Sequence, residues 1–174
     1  MADQAPATFT ATENNTYTGA CLCGSITLRL SLPYDLYARP QGHICHCNNC
    51  RKTSSAAAGA AVIMLPTSQI ELSDPDKKLK TYNDTSSKSG RTVPRSFCGA
   101  CGSAVGCVPT DMLPELSVVA LGLFVKMPEP VFECFVKRRE AWVKPTVEEA
   151  KQYEYVDEIG GYMGSVLAGE GYGV

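Results

Sequence analysis

Apolar and polar residues alternate most regularly from Gly24 to Leu32, where Ile26, Leu28 and Leu30 interleave with Thr27, Arg29 and Ser31. That period belongs to a strand with one buried face. Ala60 to Leu65 is apolar and partly β-branched up to Pro66, which predicts a second, more deeply buried strand. Ser117 to Val125 reads as a third strand and Val131 to Val136 as a fourth. Between them, Ser73 to Arg91 is dense in turn formers: Asp74-Pro75-Asp76, Asn83-Asp84 and Ser86-Ser87-Lys88-Ser89-Gly90 surround a short core-capable piece at Leu79 to Tyr82. Mostly surface loop is expected there. Helical signal is thin. One short turn is expected after Cys50, and Pro145 to Ala150 reads as a helix start with proline in its first turn. The pattern is mainly β, with few short helices.

At 174 residues, 44% hydrophobic and 20% charged, the chain has the make-up of one globular domain and of neither a disordered nor a fibrous protein. A net charge of -2 speaks against broad electrostatic capture of nucleic acid or an anionic membrane, so no nucleic-acid partner is expected. The opening Met1 to Pro6 lacks the basic and apolar regions of a secretory leader. The longest apolar stretch, Ala56 to Leu65, is far short of the roughly 20 residues that span a bilayer. A soluble, cytoplasmic protein without a membrane partner is expected, and a reducing compartment favours metal or catalytic roles for its nine cysteines over disulfides.

Seven of those cysteines fall into three tight groups. In Cys98-Gly99-Ala100-Cys101-Gly102 a turn lets two sulfurs converge, and the glycine after the second permits a left-handed backbone. Cys21-Leu22-Cys23-Gly24 is a tighter version. Structural zinc takes four ligands, so Cys21, Cys23, Cys98 and Cys101 make one closed set. Cys45-His46-Cys47-Asn48-Asn49-Cys50-Arg51-Lys52 holds three thiols with no evident fourth. Three protein ligands with a vacant position are the mark of catalytic zinc. A second closed site using His43, His46 or another cysteine, and a disulfide with one free thiol, are the alternatives at this point. His46, between two ligands, points away from a shared metal and suits a supporting or substrate role. Arg51 and Lys52 could attract an anionic substrate. Cys107 and Cys134 read as small core residues. Lys137-Arg138-Arg139 is a basic run, either a solvated edge or a substrate patch. Phosphate-loop, His-Glu-x-x-His and Gly-x-Ser-x-Gly motifs are lacking, which removes the usual basis for dehydrogenase, kinase, protease or esterase chemistry.

Gly19 to Gly24, Cys45 to Lys52 and Arg95-Ser96-Phe97-Cys98-Gly99-Ala100-Cys101-Gly102 together resemble the glutathione-dependent formaldehyde-activating enzyme family, which includes centromere protein V-like proteins. The resemblance runs from about Tyr17 to Trp142. It implies an Mss4-like fold of antiparallel sheets pinned by zinc, with a flexible arm at 1–16, the zinc domain at 17–145 and an extension at 146–174 packed on the domain or trailing it. It implies a carbon-sulfur lyase acting on a small-molecule thiol adduct such as S-hydroxymethylglutathione, with glutathione as co-substrate. Structural zinc falls on Cys21, Cys23, Cys98 and Cys101, and catalytic zinc on Cys45, Cys47 and Cys50. Arg51, Lys52 and Arg95 are the candidates to hold substrate carboxylates. A non-catalytic zinc-stabilised interaction module and a metallochaperone or thiol-redox sensor are the competing classes.

Overall fold

The computed structural model of the chain describes residues 15–88, 90, 92–107, 114–155, 165–168 and 170–172. Most of the expected arm and the Gly160-Gly161 part of the tail lie outside these. Among the described residues, eleven strands and one α-helix follow in order: β1 (Thr16–Ala20), β2 (Thr27–Ser31), β3 (His43–Cys45), α1 (Asn48–Ser54), β4 (Ala60–Pro66), β5 (Ile70–Ser73), β6 (Leu79–Asp84), β7 (Val93–Cys98), β8 (Ala104–Cys107), β9 (Leu116–Ala120), β10 (Phe132–Cys134) and β11 (Gln152–Tyr153). No helix among them is long and apolar enough to cross a membrane.

Two sheets share the core. The smaller runs β1-β2-β5, all antiparallel; the larger runs β11-β10-β3-β4-β9-β8-β7-β6. The period-2 reading of β2 holds, since Leu28 and Leu30 are buried while Arg29 faces out. Ile63 and Leu65 of β4 are buried, as an uninterrupted apolar run in a central strand requires. Two pairings are not antiparallel: β10 lies parallel to both β3 and β11. This places β3, whose last residue is Cys45, between β10 and β4.

Several boundaries differ from expectation. The third strand stops at Ala120, where Leu121–Leu123 forms a 3-10 turn around Gly122 that buries both leucines. The stretch expected as loop contains a six-residue strand, β6, at the sheet edge. Its pattern escapes a hydrophobic reading because Lys80, Thr81, Tyr82 and Asn83 are all exposed, and its stability comes from backbone pairing with β7. The turn formers sit where expected but bracket the strand: the Asp74 carboxylate accepts from the Lys78 and Leu79 amides at 2.7 and 2.9 Å.

No α-helix forms at Pro145 to Ala150; only Glu149–Lys151 makes a 3-10 turn. The Glu133 carboxylate accepts from the Thr146 amide and hydroxyl at 2.5 and 2.6 Å, tying the segment down as a loop against β10. The glycine-rich end also has an unforeseen anchor. Tyr172 is fully buried, packed on Phe132 and His43.

Candidate metal centres

Cys21 directly follows β1 and Cys98 ends β7, so the first cysteine group joins the small sheet to the large one. Each half closes on the glycine that follows its second cysteine. Gly24 donates to the Cys21 carbonyl at 2.9 Å and Gly102 to that of Cys98 at 2.8 Å, with φ of +79° and +77°. That is left-handed backbone, which glycine adopts without a Cβ clash. The sulfurs of Cys21, Cys23, Cys98 and Cys101 all lie within 4.8 Å of one another. Cys21 to Cys23 is 3.5 Å and Cys23 to Cys98 is 3.7 Å. A regular tetrahedron of thiolates at the zinc distance has edges of about 3.8 Å. Hydrogen bonds with the Ser25 and Ser103 hydroxyls hold the Cys23 and Cys101 thiols below the usual range, Cys101 at about 5. The quartet can close around one ion.

The second group is built from the end of β3 and the start of α1. Its helix begins at Asn48, earlier than expected, and takes in Cys50. Cys47 is the N-cap: its sulfur accepts from the Cys50 amide at 3.2 Å, a place more often filled by Ser, Asp or Asn. Sulfurs of Cys45, Cys47 and Cys50 all come within 4.8 Å of one another, and among the described residues the group stops at three. Cys45 is buried; Cys47 and Cys50 are partly exposed. The eight described cysteine side chains are all free thiols.

Electrostatics shows what the trio lacks. Hydrogen bonds from the Cys45 and Cys50 thiols hold Cys47 far below an ordinary thiol, with Arg95 adding its charge. Cys50 is pushed up by the Cys45 and Cys47 sulfurs, and Cys45 by those of Cys134 and Cys47. Three thiolates need a cation at their centre, and an all-sulfur donor set selects a soft or borderline ion such as zinc over magnesium or calcium.

His46 is not in the trio. Its Nε2 lies 2.9 Å from Glu133 in the core, and its amide donates to the Cys134 carbonyl at 3.0 Å. Glu133 also accepts from Arg139 at 2.6 Å and from Thr146. Burial pushes the Glu133 carboxyl up, but these hydrogen bonds outweigh it and keep the group ionised. His46 therefore fixes the β3 to α1 link from beneath.

The three basic candidates separate. Arg51 pairs with Glu140, and Lys52 is exposed on α1. Arg95 alone comes to the trio, with Nη1 3.6 Å from the Cys50 sulfur. Asp84 aims it, accepting from Arg95 Nε at 2.8 Å and from Asn49 at 2.7 Å. Burial pushes Asp84 up, yet hydrogen bonds from Ser86, Arg95 and Asn49 hold its carboxyl well below the usual range.

The family profile described as glutathione-dependent formaldehyde-activating enzyme matches residues 16–138, more than two thirds of the chain. The chain belongs to this family. Among curated proteins none matches. A solved Rhodobacter sphaeroides protein is 18% identical, with a TM-score of 0.47, over 64% of this chain and 97% of that one.

The family match takes in all seven clustered cysteines and Arg95 but ends before Glu140, Thr146 and Tyr172, which brace the site from outside it. Three further residues matter that the motifs did not announce. Asp84 passed for a turn former, although an acid capping a strand beside an arginine is a detectable pairing. Glu133 is a lone charge inside an apolar strand, which is a signal of a buried partner. Cys134 is fully buried as expected of a core residue, but it pairs with Cys45 across β10 and β3 and hydrogen-bonds its sulfur. Of Cys107 the side chain lies outside the described residues.

Proposed function

We propose that this chain is a zinc-dependent carbon-sulfur lyase acting on an adduct of glutathione or another small thiol. Family membership supports a glutathione-related activity. The observation that carries the finer reading is the contrast between the two groups: four sulfurs close one site, while three leave another short of a full set. Cys21, Cys23, Cys98 and Cys101 would hold a structural zinc; Cys45, Cys47 and Cys50 would hold the reactive one. When bound, that second zinc supplies a Lewis acid for making or breaking the carbon-sulfur bond.

In the reaction, the carbon-sulfur bond of S-hydroxymethylglutathione breaks, the hydroxyl proton leaves, and the sulfur recovers a proton, giving formaldehyde and glutathione; the reverse forms the adduct. No electrons are exchanged. The protein's own groups position and balance charge. Arg95 donates to the Cys50 sulfur and offsets part of the negative charge of three thiolates. Asp84 holds Arg95 in that pose, and His46 with Glu133 holds the Cys45 to Cys47 link. Lys52, exposed on the helix that bears Cys50, adds positive charge, while Glu140 balances that of Arg51.

Exchange between free formaldehyde and its glutathione adduct, followed by NMR exchange spectroscopy, tests this directly. Protein holding two zinc ions should accelerate exchange. The Cys50→Ser variant should keep one zinc and lose the acceleration. Two-zinc protein that leaves the exchange rate unchanged with glutathione and with mercaptoethanol would refute the lyase assignment.

A further inference from the structure

A pocket of about 310 Å³ is lined by Lys88, Phe135, Lys137, Arg138, Glu154 and Tyr155. Its walls continue the two segments that flank the trio. Phe135 follows Cys134, whose carbonyl accepts from His46 and whose strand partner is Cys45. Lys88 lies two residues beyond Ser86, which accepts from Asn49 beside Cys50. Phe135 is held at φ +58°, a left-handed conformation unusual for an aromatic residue and one that recurs at functional sites. That bend directs the 3-10 turn Val136–Arg138 back along the pocket, so Lys137 and Arg138 of the basic run line it, while Arg139 turns to Glu133.

The lining has a definite chemistry. Phe135 and Tyr155 meet edge-on with centroids 6.4 Å apart, giving an apolar floor. Lys88 Nζ sits 2.8 Å from the Tyr155 ring centroid, and Lys137 pairs with Glu154 at 2.6 Å. Three cations and one carboxylate thus surround two rings. Such a set matches a group that presents a carboxylate and an ammonium side by side on an aliphatic stem.

We propose that this pocket is a recognition subsite for the α-amino-acid end of the thiol substrate. Arg138 and Lys88 take its carboxylate, Glu154 takes its ammonium, and the stem lies on Phe135 and Tyr155. The inference rests on the lyase reading for its place in catalysis, but the binding itself does not. Glu154 and Tyr155 lie beyond the residues that the family profile matches.

The test uses S-methylglutathione, an unreactive thioether, titrated calorimetrically into the two-zinc protein, alongside its N-acetylated form, which lacks the ammonium. Arg138→Glu should weaken S-methylglutathione at least fivefold, while the charge-matched Lys126→Glu in a separate cleft leaves it unchanged. Glu154→Gln should weaken S-methylglutathione at least fivefold and the N-acetylated form less than twofold. In turnover, Arg138→Glu should raise KM for the glutathione adduct and leave that for the mercaptoethanol adduct in place. Smaller losses on Arg138→Glu, or equal losses for both ligands on Glu154→Gln, overturn the subsite. The two readings fail separately. Absent turnover with these binding losses intact sinks the lyase reading and keeps the subsite; turnover that ignores both substitutions sinks the subsite alone.

Discussion

Replacing Tyr172 with phenylalanine removes one oxygen from the interior and leaves two polar groups without it. The Tyr172 hydroxyl accepts from the Met64 amide at 2.8 Å and lies 2.9 Å from His43 Nδ1. Burial holds His43 at about 3, so the ring is neutral at working pH and shares one hydrogen with the Tyr172 hydroxyl at Nδ1. Both residues are almost fully enclosed. A buried group left unsatisfied costs about 1–3 kcal/mol, so the pair costs about 2–6 kcal/mol. For a chain of this size each kcal/mol moves Tm by about 2–4 °C, which sets a fall of at least about 4 °C. A local effect should come with it, because His43 opens β3 and Cys45 ends it. Zinc should leave the trio faster than in the parent protein, while the quartet holds its ion as before. Calorimetry of the two-zinc protein reads the first effect, and a colorimetric chelator under native conditions reads the second. A Tm within 1 °C of the parent, with unchanged zinc release, would mean that this hydroxyl neither anchors the tail nor steadies the strand.

Other perturbations separate the two centres. Graded chelation should strip the trio first, since three protein ligands hold an ion less tightly than four, and strand content by circular dichroism should fall only when the quartet, which joins the sheets, gives up its ion; simultaneous loss would contradict the division. Asp84→Asn leaves Arg95, 11% exposed, without its carboxylate and should cost about 3–5 kcal/mol in denaturant unfolding. Lost exchange activity in that variant, with both zinc ions retained, is also expected; full activity would remove Arg95 from the site. Gly59 has φ +89°, and a Cβ there would lie 2.7 Å from Ile44 Cγ2 and 3.0 Å from both the Cys45 carbonyl and His46 Nδ1. Gly59→Ala should therefore destabilise by about 1–3 kcal/mol and lower zinc content at the trio by elemental analysis; normal content would show that the β3 end yields without disturbing its ligands.

Much of this architecture was legible because each signal was local. The β2 alternation, the apolar run of β4 and the paired cysteine turns each state their geometry within a few residues. Where the reading went astray, the deciding contact came from elsewhere. β6 shows no periodicity because both its faces meet solvent and its hydrogen bonds belong to β7. The segment after Pro145 had a helix start written into it, but Glu133 takes the Thr146 amide and hydroxyl into its own network. Local propensity of a few tenths of a kcal/mol per residue does not compete with an ionised, buried carboxylate seeking donors.

The same distinction explains why sulfurs were easier to assign than their supports. A metal imposes short separations on its ligands, so cysteines cluster in sequence and announce themselves. A supporting carboxylate needs only to reach its target through space: Asp84 approaches Arg95 from the neighbouring strand, Glu133 meets His46 across β10 and β3, and Tyr172 arrives from the far end of the chain. Each of these braces the β3 to α1 corner, where the three thiols converge, or the arginine that approaches it, and none braces the quartet. The quartet's supports are local: Ser25 and Ser103, each two residues from the cysteine whose sulfur it hydrogen-bonds, sit in the same turns. A trio that leaves one position of a metal open would need support from farther away, because the geometry that a fourth ligand would have enforced must be supplied by the surrounding protein.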